Sequence, residues 1–335
     1  MDPKKTVDQL WKKLLKGFEK NQDRGYLYPA PDGRCRVLES HLSNIQAMLE
    51  DSQPAYSLLV FEDLARWHLR YSQFLRVHRR DCAGQRREYA AACWYGYLAL
   101  WVADQAFDCV NRPYISLRRA AQYWAQCILA GWWRKARDLG ERMIASIHFG
   151  YRKDEWGNDY TRVIGIGLEY DFAGWFLLEL HCRLHHTTFD HSKADYPRRF
   201  IPYEEVLAHW DTPDPAEVDR LVWLLADRHL EQTVIQDEST PEEDEDFFEF
   251  DHPILWLYPY EILAWLAIRA HLGLANPPAF SHPLMQQPLA EPVPGAPFEI
   301  PRLEPAHTTL CALFRFCPDA HLQDSLPPAY REGCD

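Results

Sequence analysis

Apolar residues recur along most of the chain at intervals of three and four, the period of an amphipathic helix rather than a strand. Residues 7–20 carry Leu10, Trp11, Leu14 and Leu15 on one side. A loop containing Pro29, Pro31 and Gly33 follows, and helical spacing returns over 37–49. In residues 54–80, Val60, Leu64, Trp67, Tyr71 and Phe74 align on one face. Residues 85–109 are apolar almost all round their middle, which predicts a central, buried helix. Two helices follow with little between them. Leu117, Ala121, Trp124 and Ile128 share a face of the first, and Trp132, Ala136, Leu139, Met143 and Ile147 share one of the second. Gly131 at their junction permits a tight αα corner. No self-similar period marks the chain as a repeat array.

Residues 159–167 alone read as extended, with Val163, Ile164 and Ile166 beside Gly165 and Gly167. Helices are predicted again over 171–186, briefly from Pro202, and over 215–232, where Asp214 is placed to cap and Pro215 suits the first turn. Residues 258–274 are apolar on nearly every side and predict a buried helix. Nine prolines between 276 and 305 exclude regular helix or central strand there, and residues 310–316 form a short apolar piece that can dock back. The pattern predicts a mainly α fold, a multi-helix bundle or helical-hairpin array with a proline-rich C-terminal extension. Its expected divisions are an N-terminal helical segment (1–53), a helical core (54–275) and the extension (276–335).

Composition narrows the function classes. An apolar fraction of 47% with 13 Trp, 17 Tyr and 16 Phe is too much bulky surface for a disordered chain. A formal net charge of −13 argues against nucleic acid as a partner and toward a basic protein surface. The longest uncharged apolar stretch, residues 89–103, is too short to span a bilayer, and Lys12, Lys13, Lys16 and Glu19 interrupt any signal-like segment. Nine scattered cysteines without CxxC spacing predict reduced structural thiols, and with these features a cytoplasmic protein that needs no membrane.

Candidate chemistry is sparse. His181 and His185 stand i, i+4, with His186, Asp190 and His191 nearby, a grouping that could hold a metal, but without the glutamate of an H-E-x-x-H motif. Histidines in a helix's last turn also simply complement its negative end. Gly165 and Gly167 begin a dinucleotide fingerprint that Tyr170 breaks. Trp124, Trp132 and Trp133 cluster at one corner as core residues. No nucleophile elbow or P-loop is present, so no catalytic residue, metal or cofactor is expected. The strongest compositional feature is acidic: nine of the fifteen residues from 237 to 251 are Asp or Glu, interleaved with Phe247, Phe248 and Phe250. It reads either as a solvated loop or as a docking element for a basic partner, with aromatic anchors inside a charged rim. The candidate partner-binding residues are Asp237, Glu238, Glu242, Glu243, Asp244, Glu245, Asp246, Phe247, Phe248 and Glu249.

The run Trp256, Leu257, Tyr258, Pro259, Tyr260, Glu261, Ile262, Leu263, Ala264, followed by His282, Pro283 and Leu284, resembles the C-terminal domain of the polymorphic-nuclease immunity family. The helical pair over 116–146 is similar to the helices that precede it there. The resemblance spans residues 54–285 and implies an immunity protein that binds and inhibits a cognate nuclease toxin, of the kind secreted by bacteria, including type VI secretion effectors. Glu261, a carboxylate in an apolar helix, must find a partner or protonate, and is expected to be an internal anchor rather than a toxin contact. Two other readings stay open: a helical metal-dependent hydrolase using His181, His185 and Asp190, and a helical adaptor with several partners.

Overall fold

A computed structural model describes residues 2–22, 35–50, 57–105, 115–150, 152–153, 159–160, 171–233, 248–250, 252–316, 327 and 330. The fold is mainly α, as the periodicity predicts. In chain order the helices are α1 (Pro3–Gln22), α2 (Arg36–Glu50), α3 (Ser57–Phe74), α4 (Cys82–Gln105), α5 (Leu117–Leu129), α6 (Trp133–Phe149), α7 (Phe172–His185), α8 (Tyr203–Ala208), α9 (Pro215–Glu231), α10 (Tyr260–His271) and α11 (Glu304–Phe316). The predicted extended region contributes only Asp159–Tyr160 (β2), paired antiparallel with Arg152–Lys153 (β1), while Gly165 and Gly167 lie outside the described residues.

The chain forms two compact units that interleave in sequence. One comprises Met1–Gly17, Ser116–Gly150 and Ile166–Val293, and the other Phe18–Ile115, Tyr151–Gly165 and Pro294–Asp335. Each unit draws on all three of the divisions 1–53, 54–275 and 276–335.

In the second unit α3 packs along α4. Residues 89–103 of α4 are buried throughout, so this helix is apolar all round because it has no solvent face. His68 and Glu88 join the two helices at 2.8 Å. α3 ends in a π turn, Leu75–Arg79, closed by Arg80 in the left-handed region (φ 53°). Among the described residues no helix is long and apolar enough to cross a membrane. Cys311 on α11 departs from the expectation of reduced thiols: it is disulfide-bonded. Cys35, Cys82, Cys93, Cys127 and Cys182 are free.

In the first unit α5 is the hub, packing against α6, α7 and α10. Ser116 starts α5 by accepting from the Arg119 N–H at 3.2 Å, and Gly131 (φ 76°) turns the chain into α6 as its position predicts. Asp214 caps α9 through the Ala216 N–H at 3.0 Å, with Pro215 in the first turn. Beyond α10 the proline-rich stretch has few backbone hydrogen bonds of its own, so side chains fix it. Arg269, fully buried, donates to the carbonyls of Trp210 (2.9 Å), Thr212 (2.7 Å) and Ala275 (2.9 Å) and to Asn276 Oδ1 (3.0 Å). Asp219 accepts from the Ser281 backbone and hydroxyl, and Gln287 Nε2 donates to the Leu257 carbonyl at 2.6 Å. Such bonds satisfy buried carbonyls that no ladder reaches.

Candidate functional site at the base of the acidic segment

Of the ten predicted docking residues, Asp237, Glu238, Glu242, Glu243, Asp244, Glu245, Asp246 and Phe247 lie outside the described residues. What the structure describes is where the segment leaves and rejoins the first unit. It leaves after α9 through Gln232 and Thr233, whose hydroxyl donates to the His229 carbonyl at 2.8 Å. It returns at Phe248. The Phe250 N–H donates to the Gln232 carbonyl at 3.0 Å, so the two ends are joined. Arg118 on α5 donates one Nη1 to the carbonyls of both Phe248 and Glu249, each at 2.9 Å. The Phe250 ring is buried and stacks on the His229 imidazole, centroids 3.9 Å apart. Phe248 itself is half-buried.

Glu249 corrects the docking set. It is fully buried and faces the interior, where Oε2 accepts from the Ala173 N–H at 2.7 Å in the first turn of α7. The α7 N-cap residue Asp171 makes no side-chain capping bond, so Glu249 fills that role from a distant part of the chain. Burial pushes its carboxyl up to about 8, outweighing the Ala173 N–H and the Arg228 charge, which act the other way. The reason for the correction is tertiary: Phe250 docks on His229, and the uncapped first turn of α7 offers the Ala173 N–H to the carboxylate beside it.

Beside it lies the anchor expected at Glu261. Its Oε1 is 2.7 Å from His229 Nδ1, and both side chains are wholly shielded from water. His229 Nε2 faces the carbonyls of Leu255 (3.0 Å) and Trp256 (3.2 Å), which can only accept. Nε2 therefore carries a proton, and another lies between Nδ1 and Glu261, which makes the pair neutral as a whole. The Tyr203 and Tyr260 phenols are also buried, and burial followed by the two nearby carboxyls holds both well above the usual phenol range. Tyr203 Oη, Tyr260 Oη, Glu249 Oε1 and Glu261 Oε2 have no hydrogen-bond partner among the described residues. His229 was legible as a polar residue on the apolar face of α9, in register with Val218, Leu221, Val222 and Leu225. Arg118 left no comparable signal, because its partners are backbone carbonyls.

The histidine cluster separates in space. His181 is buried, edge-on to Trp124 and 4.7 Å from the His185 ring, and neither of its nitrogens has a partner among the described residues. Burial, reinforced by His185 and Arg137, pushes it down to about 3. His186 enters the left-handed region (φ 52°) and turns the chain away. Asp190 then caps a short turn through Ser192, and His191 bonds Glu179 at 2.9 Å. Among the described residues no group of three or more His, Cys, Asp or Glu is arranged to hold a metal ion. The Trp124 and Trp132 side chains are buried, in keeping with core packing, and Trp133 stacks on His271 at 3.8 Å.

The fold class is thus a mainly α protein of two interleaved units, with an acidic segment closed at its base. Comparisons with protein-family models, curated proteins and solved structures find no match for the chain.

Proposed function

We propose that the protein is a stoichiometric protein inhibitor, an immunity protein that binds and blocks a nuclease toxin through its acidic segment. The observation that carries this reading is the joining of the segment's two ends. Seven carboxylates fall in the sequence between residues 237 and 246, and the described residues on either side are joined by Arg118 and by the Phe250–Gln232 bond. Joined ends limit the conformational freedom an intervening segment must lose on binding, and a run of carboxylates suits a cationic groove that otherwise takes DNA phosphates. The net charge of −13 favours encounter with such a groove. The choice of a nuclease as target, and a cytoplasmic site of action, rest on the resemblance of residues 256–264 and 282–284 to the immunity family. The Cys311 disulfide weighs the other way on compartment, since disulfides persist in oxidising settings. The hydrolase reading has no converging ligand set among the described residues to favour it.

The test is co-expression with neighbouring gene products, followed by capture and a nuclease assay on any complex. One tight partner with suppressed nuclease activity supports the proposal. Reversing Glu242, Glu243, Asp244, Glu245 and Asp246 to lysine is expected to slow association about 10- to 1000-fold at low salt and to flatten its salt dependence. An unchanged rate and slope would remove the acidic segment from the interface.

A further inference from the structure

A pocket of about 460 Å³ opens at the C-terminal end of α7, within the first unit and apart from the acidic segment. Glu179, Arg183, His186, Thr187, Thr188 and His191 are among its walls. Glu179 is already engaged: its Oε1 accepts from His191 Nε2 at 2.9 Å and from the Tyr196 hydroxyl at 3.2 Å. The His191 ring stacks on Tyr196 with centroids 4.1 Å apart, which holds that arrangement.

Arg183 is the opposite case. One turn beyond Glu179, it has the i, i+4 spacing at which glutamate and arginine ordinarily pair, yet its side chain has neither hydrogen bond nor ion pair among the described residues. Its Nε is shielded from solvent and unpartnered. A shielded N–H without an acceptor is costly, and the planar fork of a guanidinium suits two oxygens of one acid group.

The end of a helix is a poor place for an anion when its last carbonyls are open. Here two of them are closed by the left-handed turn at His186. The Thr187 N–H donates to the Cys182 carbonyl at 2.9 Å, and the His186 N–H reaches the Arg183 carbonyl at 3.4 Å. The same turn brings Thr187, Thr188 and His186 into the lining of the pocket that Arg183 also lines.

We propose that this pocket binds a small oxyanion-bearing ligand, a phosphate or carboxylate group held by Arg183 with the threonine hydroxyls and His186, the remaining volume taking a compact organic portion. The site is independent of the inhibitor reading and survives its failure.

The test uses the full chain, with inorganic phosphate and acetate as separate probes and sodium chloride matching the ionic strength. The thermal midpoint and the Arg183 Nε–H resonance are followed together. The expected result is a saturable rise in midpoint and a saturable shift of that resonance, with affinity weakened at least about tenfold in Arg183→Gln. Saturation by phosphate alone assigns a phosphate group, and by acetate alone a carboxylate. Should Arg183→Gln fail to fold, Thr188→Val and the titration of the unaltered protein carry the test. A midpoint that moves equally in chloride, or a resonance that does not respond, identifies an adventitious ion only and overturns the proposal.

Discussion

Gly140→Ala reads the packing of α6 against α7 with a single methyl group. In an open helix position this change stabilises, because alanine exceeds glycine by about 1 kcal/mol. Gly140 is not such a position. A Cβ there would lie 2.5 Å from His181 Cγ and closer still to Cε1 and Nδ1. These are ring atoms of a buried side chain bounded by Trp124 and His185, which oppose its movement. Overpacking of this kind costs about 1–3 kcal/mol. Set against the propensity gain, the expected net effect is a loss of up to about 2 kcal/mol. Urea unfolding followed by circular dichroism and tryptophan fluorescence measures it as a lowered midpoint. The double variant Gly140→Ala/His181→Ala is the stronger test, since removing the ring removes the clash. It should recover at least about 1 kcal/mol relative to the sum of the single changes. A raised midpoint in Gly140→Ala, or strict additivity in the double variant, would show that the ring does not lie against this helix.

Other outcomes follow from the buried ionisable groups. Neutral His181, held down to about 3, contributes stability that is fully present above pH 6.5 and is lost as pH falls from 6.5 toward 3. Its share of the slope approaches about 1.4 kcal/mol per pH unit, so the slope of unfolding free energy against pH should fall by about that much in His181→Leu. Glu249 acts in the opposite sense: its carboxyl is raised from 4.5 to about 8, so its contribution is complete below 4.5 and declines as pH rises toward 8. Glu249→Gln keeps the shape without the charge, and should be more stable than the parent at pH 8 and flatter with pH; a less stable variant at pH 8 would refute the assignment. Breaking the His229–Glu261 pair from either side, as His229→Ala or Glu261→Ala, should cost about 3–5 kcal/mol, with the double variant recovering part of the loss in a mutant cycle.

Several features of the site were legible because they depend on period alone. The apolar faces of α9 and α10 placed His229 and Glu261 where water cannot follow, so each required a partner. Pairing them needed the approach of two helices 32 residues apart in sequence, which no local pattern encodes. Glu249 was misplaced for a related reason. In a run of nine acidic residues one carboxylate looks like the next, and only the docking of Phe250 on His229 and the open first turn of α7 select it for burial. The histidine grouping shows the same limit: His181 and His191 are ten residues apart with left-handed His186 between them, and the first is buried while the second is exposed.

Periodicity and the chemistry of single residues such as Asp214, Pro215 and Gly131 were enough for the helices, their caps and corners and the buried middle of α4, because these are local properties. Tertiary structure alone decided how distant stretches interleave into two units and which carboxylates are interior. Those outcomes turn on desolvation, and desolvation depends on every element that closes over a group rather than on the residues beside it in the chain.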